Sequence, residues 1–207
     1  MTTVDIFKKQ NMGNLIGFGQ RPALLIIDFQ NAFTDENFFG GHNINQAIEN
    51  TTHLLKACRQ AKIPVAHVRF ATSNDGSDIG TFGIKVPRLK DLVDGNHAAE
   101  IVDALKPTID EFVSIKHHAS AFYGTALQSW LNFKSVDTIL ITGCATSGCV
   151  RASTIDASAI GYRPMLVAEC VGDRAQGPHE ANLFDMQMRY ADVVTLEDVK
   201  KYLSELR

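Results

Sequence analysis

Short, unbroken apolar runs alternate along the chain with stretches whose apolar residues recur every three to four positions. The first run, Ala23 to Phe29, shows no period-2 alternation, as a strand covered on both faces should not. Asn43 then offers an N-cap for a segment carrying Ile44, Ala47, Ile48, Thr51, Leu55 and Cys58 on one face. Further strands are predicted at Val65–Phe70, Phe112–Lys116, Val136–Thr142, Pro164–Cys170 and Val193–Leu196. Helices are predicted at Ala98–Leu105, Thr125–Phe133, Ser147–Ile160, Pro178–Tyr190 and Glu197–Leu206.

Strand-helix alternation of this kind predicts a doubly wound α/β fold: a mostly parallel six-stranded sheet with helices on both faces. Residues 1–21 read as an N-terminal arm and 22–207 as one domain. The Gly-, Asp- and Ser-rich segment Ser73–Gly83 reads equally as a plain surface loop or as a lid at the active edge.

Composition narrows the function classes. Of 207 residues, 45% are hydrophobic and 21% charged, ordinary for a globular enzyme. A net charge of -3 without a basic block argues against nucleic acid or an anionic membrane as partner. No apolar run approaches the ~20 residues of a membrane span, and Met1–Gln20 holds no signal-like apolar core, so a cytosolic location is expected. The four cysteines then read as thiols, and their spacing does not supply a zinc set.

In an open parallel sheet ligands bind beyond the carboxyl ends of the strands. Asp28 ends the first predicted strand, Lys116 ends the third, and Gly143–Cys149 forms the turn leaving the fourth. Each has a bland reading: a carboxylate bonded to a loop, a lysine reaching solvent, a small buried cysteine in a tight turn. The functional reading sets Cys149 at a helix N-terminus, where free N–H groups, the helix dipole and a nearby lysine favour thiolate. Neither of the usual glycine-rich phosphate-binding patterns is present.

Three segments carry a resemblance: Leu25-Ile-Ile-Asp28-Phe-Gln-Asn31; Lys116 followed by Ser120-Ala-Phe122; and Thr142-Gly-Cys-Ala-Thr-Ser-Gly-Cys149-Val-Arg151. In that order they resemble the isochorismatase-like cysteine hydrolases, over Pro22 to about Val199. The resemblance implies a triad of Asp28, Lys116 and Cys149. It also implies a cis peptide before Ala145 and an oxyanion hole from the N–H groups of Ala145 and Cys149. True isochorismatases lack the cysteine, so Cys149 points to C–N cleavage.

The stretch from Glu169 to Asp185 is most similar to the N-carbamoylsarcosine and maleamate amidase branch, where Arg174 would hold a substrate carboxylate. Phe33, Phe122 and Thr146 are the further substrate contacts expected. Asp35 and His42 lack the histidine cluster of metal-binding relatives, so no metal or other cofactor is expected. The expected reaction is hydrolysis of a linear amide or ureido bond in a small carboxylate-bearing substrate, through a thioester, with release of ammonia. Nicotinamide, biuret or ureidoacrylate hydrolysis, a thiol sensor and a silent binding protein are the rival readings. A homo-oligomer (dimer or tetramer) is expected from the relatives, with Phe38, Phe39 and Tyr123 as exposed aromatics.

Overall fold

The computed structural model describes residues 1–206. Its strands are β1 Pro22–Ile27, β2 Val65–Phe70, β3 Phe112–Lys116, β4 Thr138–Cys144, β5 Arg163–Gly172 and β6 Asp192–Val194. They form one sheet in the order β3-β2-β1-β4-β5-β6, with every neighbouring pair parallel. The helices are α1 Thr3–Lys9, α2 Ile44–Gln60, α3 Gly80–Lys85, α4 Leu127–Phe133, α5 Arg151–Ile160, α6 Gln176–Arg189 and α7 Leu196–Glu205. None is long and apolar enough to cross a membrane among the described residues.

The period-2 geometry of a strand divides β1 between two cores. Leu24 and Ile26 face the layer that holds Leu54 and Leu55 of α2 and Val199 and Leu203 of α7. Ala23, Leu25 and Ile27 face the opposite layer, with Leu127 and Leu131 of α4, Ala157 of α5 and Met186 of α6. Both faces are therefore apolar, which is why β1 shows no alternation in the sequence.

The chain runs outward from β1 to β2 and β3, then returns to place β4 on the other side of β1. The order reverses there, and a crevice opens beyond the ends of β1 and β4. Gly143 makes the close approach possible. Its φ is 132°, and a Cβ would collide with the Ile27 carbonyl. The β4–β5 register shifts at this point, between Ile141 and Gly143.

Residues 1–21 lie against the sheet's opposite end. The Asp192 carboxylate accepts from the N–H groups of Ile16 and Gly17, and Asp137 accepts from those of Gln20 and Arg21. Phe7 of α1 meets Phe184 of α6 edge-on, with ring centroids 5.2 Å apart.

Three expectations need correction. Ala98–Leu105 is not a helix but two short 3₁₀ turns, His97–Ala99 and Asp103–Leu105, around an extended link. Its backbone is spent on the loop after β1: Val102 N–H donates to Phe29 O and Asn31 N–H to Glu100 O. Buried Gln30 adds a side-chain bond to Ala99 O at 2.7 Å. The helix expected at Ser147–Ile160 opens with a wide turn, Thr146–Val150, because Gly148 leaves helical backbone angles. Regular helix begins only at Arg151. Phe38 and Phe39 are not exposed: Phe39 is buried and stacked near Phe33, and Arg88 lies over the Phe38 ring at 4.3 Å. Tyr123 does reach solvent.

Candidate active site

The crevice brings three strand ends together. Asp28 follows β1 with a φ of 54°, a left-handed backbone that non-glycine residues seldom adopt. Lys116 closes β3, wholly buried. Its ammonium lies 2.7 Å from Asp28 Oδ2, donates to Cys149 Sγ at 3.2 Å, and donates to His118 O at 3.1 Å. Asp28 Oδ1 has no hydrogen-bond partner in the described protein. An unpaired buried carboxylate oxygen is costly, and Asp28 lies in the lining of the cavity described below.

Charge balance explains how Lys116 stays ionised here. Burial pulls it toward the neutral amine, but the Asp28 carboxylate and then the Cys149 sulfur outweigh burial and raise its affinity for the proton. Cys149 goes the other way from the sequence expectation. Burial first, and the Asp28 carboxylate second, push its thiol up to about 12, with Lys116 opposing them. A helix end and a lysine were expected to favour thiolate; desolvation beside a carboxylate outweighs both. This direction favours the protonated thiol beside the Asp28 carboxylate.

The turn carrying Cys149 is anchored on three sides. Ser153 Oγ donates to Cys149 O at 2.7 Å and accepts from Ala121 N–H at 2.8 Å, tying the turn to the loop after Lys116. Asp173 accepts from Ser147 N–H at 2.7 Å. Thr146 Oγ1 pairs with His179 Nδ1 at 2.8 Å. The Cys144–Ala145 peptide is cis. Cys144 itself points into the core, where its thiol donates to Asp28 O at 3.1 Å. Cys58, Cys144 and Cys170 are buried, and Cys149 is partly exposed.

A cavity of about 450 Å³ opens over these groups. Asp28, Ala145, Gly148 and Cys149 form its floor, Ser147 and Arg174 add polar side chains, and Phe33, Phe39, Phe70, Phe82, Val86 and Leu89 supply an apolar wall. Phe82, Val86 and Leu89 come from the segment of α3 and the 3₁₀ turn Pro87–Asp91 that follows it. Of the segment Ser73–Gly83 read as loop or lid, Phe82 lines the cavity; Val86 and Leu89 lie beyond its end. A larger hollow of about 690 Å³ lies at the arm and α7, with neither a cysteine nor a buried charge in its lining.

The expected substrate contacts divide. Phe33 and Arg174 line the cavity, and the Arg174 side chain is half exposed, 3.7 Å from Asp173 Oδ1. Phe122 does not line it; its ring packs near Tyr162 in the core beneath α4 and α5. Thr146 is buried and engaged by His179, outside the lining. Sequence reasoning missed Phe39, Phe70, Phe82 and Leu89, which show only as apolar residues without a motif. It also missed Asp173, whose adjacency to Arg174 reads as a surface pair.

Comparisons with known proteins identify the family. Residues 22–198 match the Isochorismatase domain. The chain is 42% identical over 197 residues to maleamate amidohydrolase of Pseudomonas putida, covering 94% of this chain and 92% of that protein. It is 33% identical over 208 residues to N-carbamoylsarcosine amidase of an Arthrobacter species, covering 98% and 78%. Among solved structures, a cysteine hydrolase from Pseudomonas syringae pv. phaseolicola superposes with a TM-score of 0.85 at 22% identity, covering 90% and 94%, a likeness of fold. By sequence and by architecture, the chain belongs to the isochorismatase family of hydrolases, close to maleamate amidohydrolase and N-carbamoylsarcosine amidase.

Proposed function

We propose that this protein is a cysteine-dependent amidohydrolase acting on a small amide that also carries a carboxylate. The observation that carries the reading is the Lys116 ammonium bridging Asp28 and Cys149 at 2.7 and 3.2 Å, buried behind the two residues that line the cavity. Arg174 in the same lining supplies a planar fork suited to a carboxylate.

The mechanism follows from the neutral thiol. As Sγ attacks the amide carbon, its proton passes to Asp28, and N–H groups of the turn at Ala145 and Cys149 stabilise the oxyanion. Collapse breaks the C–N bond, and the nitrogen leaves as ammonia with the proton from Asp28. A thioester remains. Water then attacks it, again giving a proton to Asp28, and the departing sulfur recovers that proton as the acid is released. Lys116 holds its charge throughout, which steadies the carboxylate and the sulfur anion in turn.

The apolar wall favours a substrate whose amide and carboxylate are joined by hydrocarbon. Maleamate, from the name of the Pseudomonas putida relative, has that form. N-carbamoylsarcosine, from the Arthrobacter relative, places a nitrogen there. An ammonia-release assay over maleamate, N-carbamoylsarcosine, biuret and nicotinamide tests the reading. We expect maleamate to be turned over fastest; release from none of the four would overturn it. We also propose a homo-oligomer, supported by exposed Tyr123, Val113 and Phe133. Light scattering at micromolar concentration would refute it with a monomeric mass.

A further inference from the structure

Asp173 lies just past β5, fully buried, and makes no contact with the cavity itself. Its two oxygens serve different halves of the site. Oδ2 accepts from Ser147 N–H at 2.7 Å, two residues before the nucleophile. Oδ1 accepts from Arg174 N–H at 2.8 Å and stands 3.7 Å from the Arg174 guanidinium. Asp173 is held in turn, because Asn43 Oδ1 at the start of α2 accepts from Asp173 N–H at 3.0 Å. The same Asn43 donates to Val171 O at 3.2 Å.

The turn closes on bonds from the Gly148 and Val150 N–H groups to Ala145 O, and Gly148 leaves helical angles, so the orientation of its first residues depends on outside partners as well. Asp173 gives the second residue a carboxylate acceptor, and bonds to an ionised carboxylate are about twice as strong as neutral ones. A buried carboxylate is stable only while its hydrogen bonds are made, so the turn and the arginine main chain are locked to one register together.

We propose that Asp173 is a positioning residue of this active site: through Ser147 it helps fix the turn that aims Cys149 at Asp28 and Lys116, and through the Arg174 main chain it sets the substrate's carboxylate anchor against that turn. The inference rests on Cys149 being the nucleophile.

Asp173→Asn tests it, because the amide keeps the shape and one acceptor oxygen but loses the charge and the second acceptor. Displacing reacting groups by about 1 Å costs up to about 100-fold, so kcat for maleamate should fall about tenfold or more per folded molecule. Alkylation of Cys149 by iodoacetamide should slow by a similar factor, and that readout needs no substrate. A carboxylate with a purely structural role would lower the thermal midpoint yet leave kcat and alkylation intact. That result, or labelling at the wild-type rate or faster, would overturn the proposal. If Asp173→Asn does not fold, Asn43→Ala, which frees the Asp173 main chain, should show the same paired loss; wild-type kcat and labelling there would overturn it equally. Wild-type protein that releases no ammonia would sink the amidohydrolase reading, while the labelling comparison would still judge Asp173.

Discussion

Lys116 Nζ and Asp28 Oδ2 stand 2.7 Å apart, and neither side chain reaches solvent. Burying two charges is repaid only while both are present, and removing one typically costs about 3–5 kcal/mol. Asp28→Asn and Lys116→Met should therefore each lower stability in chemical denaturation and each cut turnover by about 10²–10⁴-fold. The double variant should recover much of the stability and none of the turnover, because the groups act as one unit in catalysis. Near-native turnover in either folded single variant would contradict the assigned roles.

The cysteine titrations set an alkaline limit. Burial raises Cys149 and Cys170 to about 12, from an ordinary 9.0. Between those values the unfolded chain has released thiol protons that the folded chain retains. Their contribution to stability is thus complete below about pH 9 and is lost as pH rises toward 12. Denaturation midpoints should fall steadily from pH 9 upward, and Cys149→Ala should flatten part of that slope. A midpoint independent of pH over this range would show that the thiols are not held neutral.

The sequence made the frame of this site legible and hid its walls. Asp28, Lys116 and Cys149 could be brought to one edge because each closes or follows a strand of a parallel sheet, and topology alone then collects them. What could not be read was the sign of the Cys149 shift, which depends on how closely a carboxylate sits beside a desolvated sulfur. Phe122 was misplaced because a motif gives position along the chain, whereas the side chain's direction depends on the loop that carries it. The false helix at Ala98–Leu105 failed for a related reason: its periodic apolar residues are genuine, but its N–H and C=O groups find partners on Phe29, Gln30 and Asn31 instead.

Arg174 is expected to divide substrates by charge. With its guanidinium in the cavity lining, Arg174→Met should reduce kcat/KM for a carboxylated amide by about 2–4 kcal/mol equivalent. A neutral amide of similar size should be nearly unaffected. Equal losses on the two substrates would mean that the arginine serves the Asp173 loop and not the substrate.

A covalent bond to Cys149 is the central claim, and rapid quenching in acid during turnover of maleamate tests it most directly. Peptide mapping by mass spectrometry should find the Cys149 peptide heavier by the mass of the substrate less ammonia, while Cys58, Cys144 and Cys170 stay unmodified. Cys149→Ala should show neither adduct nor ammonia. Ammonia release that persists in Cys149→Ala, or an adduct on another cysteine, would contradict the account.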